Sequence, residues 1–273
     1  MVSEEIGTAE AILLRRHALQ ISELNDEVLA VARAGAGVNN IPCEECSKRG
    51  IVVFNTPGAN ANSVKELVLT SLLVSARDVV GGMSYVGSLK DDLSANELEV
   101  LVEKNKKLFK GYELKGKVLG VVGLGAIGSA VARTGLDMGM EVMGFDPALS
   151  VEAAWRVPSE VERKTTIKYL FADADFISLQ VPLLEETRGL VDADLLKNVK
   201  PGLVILNFAR EPIVDNQAVM RAIQGGLVRK YVSDFPVTEL LNNESVIFTP
   251  HLGASTVEAE DNCAKMAVDQ LIE

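Results

Sequence analysis

The chain contains two histidines, and they differ in what they could do. His251 lies in Thr249-Pro-His-Leu-Gly-Ala-Ser-Thr256, directly after an apolar strand pattern and in a turn with Pro250 and Gly253. A histidine held at the carboxyl end of a strand suits a general acid or base, because an unperturbed imidazole titrates near neutrality. A purely structural histidine is the alternative for this stretch. His17 follows a strand pattern and two arginines, which suggests a surface or loop role. Arg210 follows the strand pattern Gly202-Leu-Val-Ile-Leu-Asn207, where a guanidinium can grip a carboxylate through two parallel hydrogen bonds. Glu239, downstream of the strand ending at Asp234, is a candidate to orient His251 and stabilise its protonated form. Each of the three alone could be a surface charge. Following three separate strands of one parallel sheet, they converge on one rim.

The scaffold is set by Lys117-Val-Leu-Gly-Val-Val-Gly-Leu-Gly-Ala-Ile-Gly128. An apolar run, Val118 to Val122, ends at Gly123, Gly125 and Gly128, which fit G-x-G-x-x-G. The first glycine permits a tight strand-to-helix turn and the second lets backbone approach a pyrophosphate. The third lets the helix pack closely on the strand. Ile127, Val131, Thr134 and Met138 follow at helical spacing, so this helix aims its positive end at the phosphates. A second strand pattern, Glu141 to Phe145, ends in Asp146, about 20 residues past the glycines, where a dinucleotide fold places the carboxylate for the ribose hydroxyls. That carboxylate repels a 2′-phosphate, which favours NAD over NADP. An ordinary strand-turn-helix with a surface aspartate is the plainer reading.

The chain of 273 residues is 48% hydrophobic and 24% charged, an ordinary globular composition. Its net charge of −11 argues against nucleic acid as a partner, since phosphate backbones demand positive surfaces. The apolar stretch Leu67 to Ala76 is too short to span a bilayer, and no basic-then-apolar leader opens the chain. These features suit the cytoplasm, without a membrane partner. Three cysteines do not suggest a disulfide framework; Cys43 and Cys46 form C-x-x-C, but no second pair completes a metal site. They read as two cysteines on the face of a short helix.

Strands expected at Ala11–Arg15, Leu29–Arg33 and Ile51–Phe54, with a helix from Ile41 to Arg49, indicate a parallel α/β unit. Ser63-Val-Lys-Glu66 fits a capping box for a long apolar helix through about Val74. From Asp78 to Lys115 the chain reads as polar and helix-prone, and Lys104, Lys106, Lys107 and Lys110 suggest a solvated helix face. After Asp146 comes a polar stretch, then strands at Asp175–Val181, Gly202–Asn207, Lys230–Asp234 and Ser245–Thr249. Asp215 caps an intervening helix, and Ser255-Thr-Val-Glu258 caps a last one with Cys263, Met266, Ala267 and Leu271 on one face. The fold class is α/β: a Rossmann-type doubly wound parallel sheet plus a smaller flavodoxin-like substrate domain. The expected division is residues 1–59 with 256–273 as the substrate domain and 60–255 as the NAD-binding domain. Ligands are expected at the carboxyl ends of the strands, in the crevice between the units.

The motifs Arg33-Ala-Gly-Ala-Gly-Val-Asn-Asn40, Phe54-Asn-Thr-Pro-Gly-Ala-Asn60, Gly120 to Gly128, Gly144-Phe-Asp-Pro147, Asn207-Phe-Ala-Arg210 and Thr249 to Thr256 jointly resemble the D-isomer-specific 2-hydroxyacid dehydrogenase family. The resemblance runs from Ala11 onward. It implies NAD-dependent oxidation of a small D-2-hydroxy acid, with Arg210, Glu239 and His251 as the catalytic set. It also implies cofactor contacts from Gly123, Gly125, Ala126, Ile127, Gly128, Asp146, Val181, Pro182, Phe208, Ala209, Asp234, Gly253 and Ala254. Substrate contacts are implied for Arg15, Arg33, Ala36, Gly37, Val38, Asn60 and Lys106. The Ala-Gly-Ala-Gly-Val-Asn-Asn loop and the Gly-Ala-Ser-Thr ending tilt the resemblance toward a phosphorylated acid as substrate, and the family implies a homodimer through the NAD-binding domain. The alternatives are another 2-hydroxy acid such as D-lactate, glyoxylate or hydroxypyruvate, or an NAD-sensing binding protein without turnover. The chain departs from the family at Ala209-Arg-Glu-Pro212 and Asp234-Phe-Pro236. It also lacks the family's opening strand and helix before Ala11 and the regulatory domain of longer members, which implies a fragment.

Overall fold

The computed structural model describes residues 8–273; residues 1–7, the start of the polar lead, lie outside the described residues. The chain divides into two compact units, one of residues up to Val64 together with Ala254–Glu273, the other Lys65–Gly253.

In the first unit, β1 (Ala11–Leu14), β2 (Ala30–Arg33), α1 (Cys43–Lys48) and β3 (Val52–Asn55) alternate as the sequence predicts. The three strands form a parallel sheet in that order. Leu14, Leu24, Val31, Ile41 and Ile51 build its core, and Cys46 is buried among them. Burial raises the Cys46 thiol pKa, with Cys43 and Glu45 adding to the effect, so this thiol behaves as a small apolar group.

Helix α2 (Ala61–Ala76) begins in the first unit and runs into the second. It starts two residues before Ser63, so the predicted capping box lies inside its first turn. The chain is already turned at Gly58, which takes φ +86°, and the Asn60 carbonyl accepts the first helical bond, from Val64. Two further helices follow, α3 (Val79–Gly87) and α4 (Ala95–Asn105). Asp78 caps α3 by accepting from Gly81 N–H (3.1 Å), and Ser94 with Glu97 forms a capping box on α4.

The larger unit is a seven-stranded sheet. Its strands are β4 (Val118–Val122), β5 (Glu141–Phe145), β6 (Glu162–Arg163), β7 (Phe176–Leu179), β8 (Leu203–Asn207), β9 (Val228–Ser233) and β10 (Val246–Phe248). All pairings are parallel, in the order β10-β9-β8-β7-β4-β5-β6. Every residue of β8 is buried, as expected of a parallel strand covered on both faces. Helices α5 (Ala126–Asp137), α6 (Val151–Ala154), α7 (Ile167–Asp173) and α8 (Asn216–Gln224) connect the strands. The polar stretch after Asp146 therefore holds α6, β6 and α7, each too short to show periodicity. Asp215 caps α8 as predicted, accepting from Gln217 N–H (2.9 Å) and Ala218 N–H (3.1 Å).

The winding runs from β4 out to β6, then returns to β7 on the other side of β4. That reversal is the switch point at which doubly wound sheets open a ligand crevice. The last helix, α9 (Val257–Ile272), returns to the first sheet and buries Ala259, Cys263 and Ala267 there. Its cap is Thr256 rather than Ser255, and Met266 lies off the buried face. No single helix among the described residues is long and apolar enough to cross a membrane.

Candidate active site

The glycine turn sits at the switch point. Gly123 adopts φ +87°, and a Cβ there would lie 2.6 Å from the Gln180 carbonyl oxygen, so the turns after β4 and β7 meet without room for a side chain. Beside Gly125 nothing lies within 4 Å of a Cβ position. Gly125 is also the N-cap of α5, and no side chain caps that helix, so its first-turn N–H groups face open space. An uncapped helix N-terminus behind an open glycine fits a pyrophosphate. Asp146, at the end of β5, accepts from Leu124 N–H with Oδ2 (2.8 Å) and from Ala148 N–H with Oδ1 (3.0 Å). These bonds fix the carboxylate and leave each oxygen a lone pair for a ribose hydroxyl. The residues present thus fit a dinucleotide.

The carboxyl ends of β8 and β9 carry the other groups. Arg210 is half-buried, and its Nη1 donates to the Ala209 carbonyl (2.7 Å). Desolvation lowers the pKa of its guanidinium from the ordinary value, but a guanidinium is still a cation at neutral pH. Asp234 is 2% exposed, yet its charge is well satisfied. Its Oδ1 accepts from Thr249 Oγ1 (2.5 Å) and Leu252 N–H (2.7 Å), and its Oδ2 accepts from Gly253 N–H (2.7 Å). Its backbone carbonyl accepts from His251 N–H (3.0 Å). Asp234 therefore clasps the whole Thr249–Gly253 turn. The resemblance makes Asp234 a cofactor contact; the structure adds that it builds the histidine turn.

His251 itself takes φ +56°, uncommon outside glycine, and its ring meets Phe235 edge-on with centroids 5.0 Å apart. A side chain held at positive φ on a clasped turn is placed by its backbone. Glu239 lies on the exposed tip of a single 3-10 turn, Thr238–Leu240, anchored by buried Leu240. Its carboxylate accepts from Thr238 Oγ1 (3.3 Å). The structure thus ties His251 to the end of β9 and sets Arg210 after β8.

The remaining predicted cofactor residues fall where strands end. Val181 and Pro182 follow β7, Phe208 and Ala209 follow β8 and are buried, and Gly253 closes the histidine turn. In the first unit, Arg15 pairs with Glu260 (2.6 Å), and Arg33 Nε donates to Asn40 Oδ1 (2.8 Å). Asn55 Nδ2 donates to the Ala36 carbonyl (2.6 Å), fixing the Ala36-Gly37-Val38 loop. Asn60 Oδ1 is buried without a hydrogen-bond partner. Lys106 is exposed on the second unit and pairs with Glu103. His17 pairs with Glu23 at the surface (3.0 Å), as its sequence context suggests. Sequence reasoning gave no role to Asn207, Tyr231 and Thr249, whose hydrogen bonds hold the two turns. The available signal was a polar residue, Asn207, closing an otherwise apolar strand.

Sheet order, glycine turn and ribose carboxylate together define an NAD-binding doubly wound α/β protein. Residues 86–253 match the model of the D-isomer specific 2-hydroxyacid dehydrogenase family, NAD binding domain, and the chain belongs to that family. It is 34% identical over 277 residues to D-3-phosphoglycerate dehydrogenase of Methanocaldococcus jannaschii, covering 98% of this chain and 50% of the relative. It is 36% identical over 251 residues to hydroxypyruvate reductase of Thermotoga maritima, covering 88% and 75%. Among solved structures, the cofactor (NAD+) bound 3-phosphoglycerate dehydrogenase of Entamoeba histolytica superposes with a TM-score of 0.74 at 29% identity, covering 96% of this chain and 78% of that one. The chain spans about half the length of the curated phosphoglycerate dehydrogenases it matches, such as that of Methanocaldococcus jannaschii.

Proposed function

We propose that this chain carries an NAD-dependent D-2-hydroxyacid dehydrogenase activity, with D-3-phosphoglycerate as the substrate and 3-phosphohydroxypyruvate as the product. That is the first step of serine biosynthesis. The observation that carries the reading is the rim of the large sheet, where a half-buried arginine follows β8 and a histidine following β10 is clasped to the end of β9 between them. When bound, NAD supplies the hydride acceptor for C2 of the acid. Arg210 holds the carboxylate next to C2 through paired N–H donors. In oxidation the hydroxyl O–H bond breaks, its proton passes to a ring nitrogen of His251, and the C2–O bond becomes a carbonyl. In reduction the protonated imidazole returns that proton. Glu239 stabilises the imidazolium charge, a role assigned from its residue type and its order along the sheet. Arg15 and Arg33 are the proposed phosphate contacts, a role taken from the family resemblance.

Phosphoglycerate is preferred to hydroxypyruvate, glyoxylate or D-lactate because of the Arg33–Asn40 loop and the basic residues of the first unit. The test is a spectrophotometric comparison of these acids with NAD or NADH. We expect kcat/KM for the phosphorylated acid to exceed that of the unphosphorylated ones by at least about tenfold, the effect of one charge-assisted contact. Equal values would remove the phosphoglycerate assignment while leaving the dehydrogenase reading intact. NAD binding without turnover of any of them would instead support a binding protein.

The same reading includes a homodimer through the NAD-binding unit. Helices α3 and α4 are knitted together by Tyr85, whose OH donates to the Leu101 carbonyl (3.3 Å) and whose ring meets Phe109 at 5.4 Å. Yet Val79, Met83 and Val86 face outward, Met83 at 70% exposure, around a cavity of about 690 Å³, and Val100 on α4 is exposed as well. The sequence pattern suggested a polar segment here; the structure shows an apolar one on the outside. Contiguous exposed apolar surface of this kind marks an association site. Light scattering should give a dimer for the native chain and a monomer for Met83→Glu/Val86→Glu with an unchanged circular dichroism spectrum. A monomeric native chain would rule out the dimer.

A further inference from the structure

We infer that Asn207, backed by Tyr231, is the positioning residue for Arg210, an inference that rests on the carboxylate-binding reading of that arginine. Asn207 ends β8 and is wholly buried, where an amide must find partners for both its donors. Its Nδ2 donates to the Arg210 carbonyl (2.9 Å) and to Tyr231 Oη (3.3 Å), and its Oδ1 accepts from Ala209 N–H (3.2 Å). The Arg210 guanidinium in turn donates to the Ala209 carbonyl (2.7 Å). Asn207, Ala209 and Arg210 thus close a ring of three hydrogen bonds that fixes both the backbone and the head group of the arginine.

Tyr231 is 1% exposed on the neighbouring strand and accepts from the amide, while the Arg210 carbonyl, only an acceptor, and the Ala209 N–H, only a donor, fix which way the amide faces. The Asn207 carbonyl also accepts from Asp234 N–H (3.2 Å). The arginine ring is thereby joined to the residue that clasps the histidine turn. Glu211-Pro212 follows the arginine, and Glu211 accepts from Asn216 Nδ2 (2.6 Å). Hence the loop after Arg210 is held from both sides.

Asn207→Asp keeps shape and the acceptor for Ala209 N–H but removes both donors and opposes a carboxylate to the Arg210 carbonyl. In the cofactor-free protein, phenylglyoxal modification of Arg210, followed by peptide mass mapping, should be about threefold to tenfold faster than in the native chain. Exposed Arg163 should react at an unchanged rate. In steady state, KM for the 2-keto acid should rise about tenfold, with kcat changed less than about threefold and NADH affinity unchanged. If the aspartate prevents folding, Tyr231→Phe carries the test, with modification of Arg210 about twofold faster. Unchanged Arg210 reactivity in the folded variant, or a fall in kcat at constant KM, would overturn the inference. Faster modification in a protein that turns over no 2-keto acid would support the positioning role and remove the proposed function instead.

Discussion

Replacing His251 by asparagine is expected to lower kcat for either direction of the proposed reaction by roughly 10²–10⁴-fold, the usual contribution of a positioned acid–base group. Asparagine is the informative replacement because His251 sits at φ +56°, a region that asparagine enters more readily than alanine. The turn then keeps its clasp, since the bonds to Asp234 in this stretch come from the backbone N–H groups of His251, Leu252 and Gly253 and from Thr249 Oγ1. NADH affinity and the unfolding midpoint should therefore hold while turnover falls.

The pH dependence gives a second signature. Reduction needs the protonated imidazole, so its rate falls as pH rises through the histidine titration. Oxidation needs the neutral ring and falls as pH drops through it. Both limbs should flatten in the variant. Turnover retained at native levels, with native pH limbs, would assign the acid–base work elsewhere.

How much of this was legible in the sequence depended on the range of each interaction. The glycine turn was fully readable, because Gly123, Gly125 and Gly128 act within one strand-turn-helix and the constraint on each is local. Asp146 was readable because its distance from the glycines is set by one helix and one strand. Arg210 and His251 were found as residue types at strand ends, but their holders were not. Asn207 and Tyr231 lie 24 residues apart and meet only because β8 pairs with β9 in one register. Asp234 reaches 18 residues ahead to the Leu252 N–H, a contact with no local pattern. Helix α3 misled for a different reason. Its segment reads as part of a polar stretch, and neither composition nor spacing says which residues of a short helix face out. The α2 cap failed on a competing local signal, the turn at Gly58, which starts the helix before the Ser63 motif.

A second large effect is expected at Gly128. A Cβ there would lie 1.9 Å from the Gly123 carbonyl oxygen and 2.9 Å from its carbon, both backbone atoms of the turn itself. Ordinarily Gly→Ala inside a helix gains up to about 1 kcal/mol from propensity. Here the clash must be relieved by moving α5 off β4, and overpacking of this kind costs about 1–3 kcal/mol. The loss outweighs the gain, so Gly128→Ala should lower the unfolding midpoint by a few degrees. It should also weaken NAD binding by roughly 10²-fold, because the displaced helix N-terminus no longer meets the pyrophosphate. Gly125→Ala separates the two effects. Its Cβ meets no protein atom within 4 Å, so the midpoint should stay put while NAD affinity still falls, the methyl occupying the space left for the ligand. Calorimetric titration with NAD beside thermal unfolding distinguishes the outcomes. Native affinity in Gly125→Ala would mean that the pyrophosphate does not lie against this turn, and native stability in Gly128→Ala would mean that the turn relaxes freely. The two glycines therefore divide the motif, one making room for the protein and the other for the cofactor.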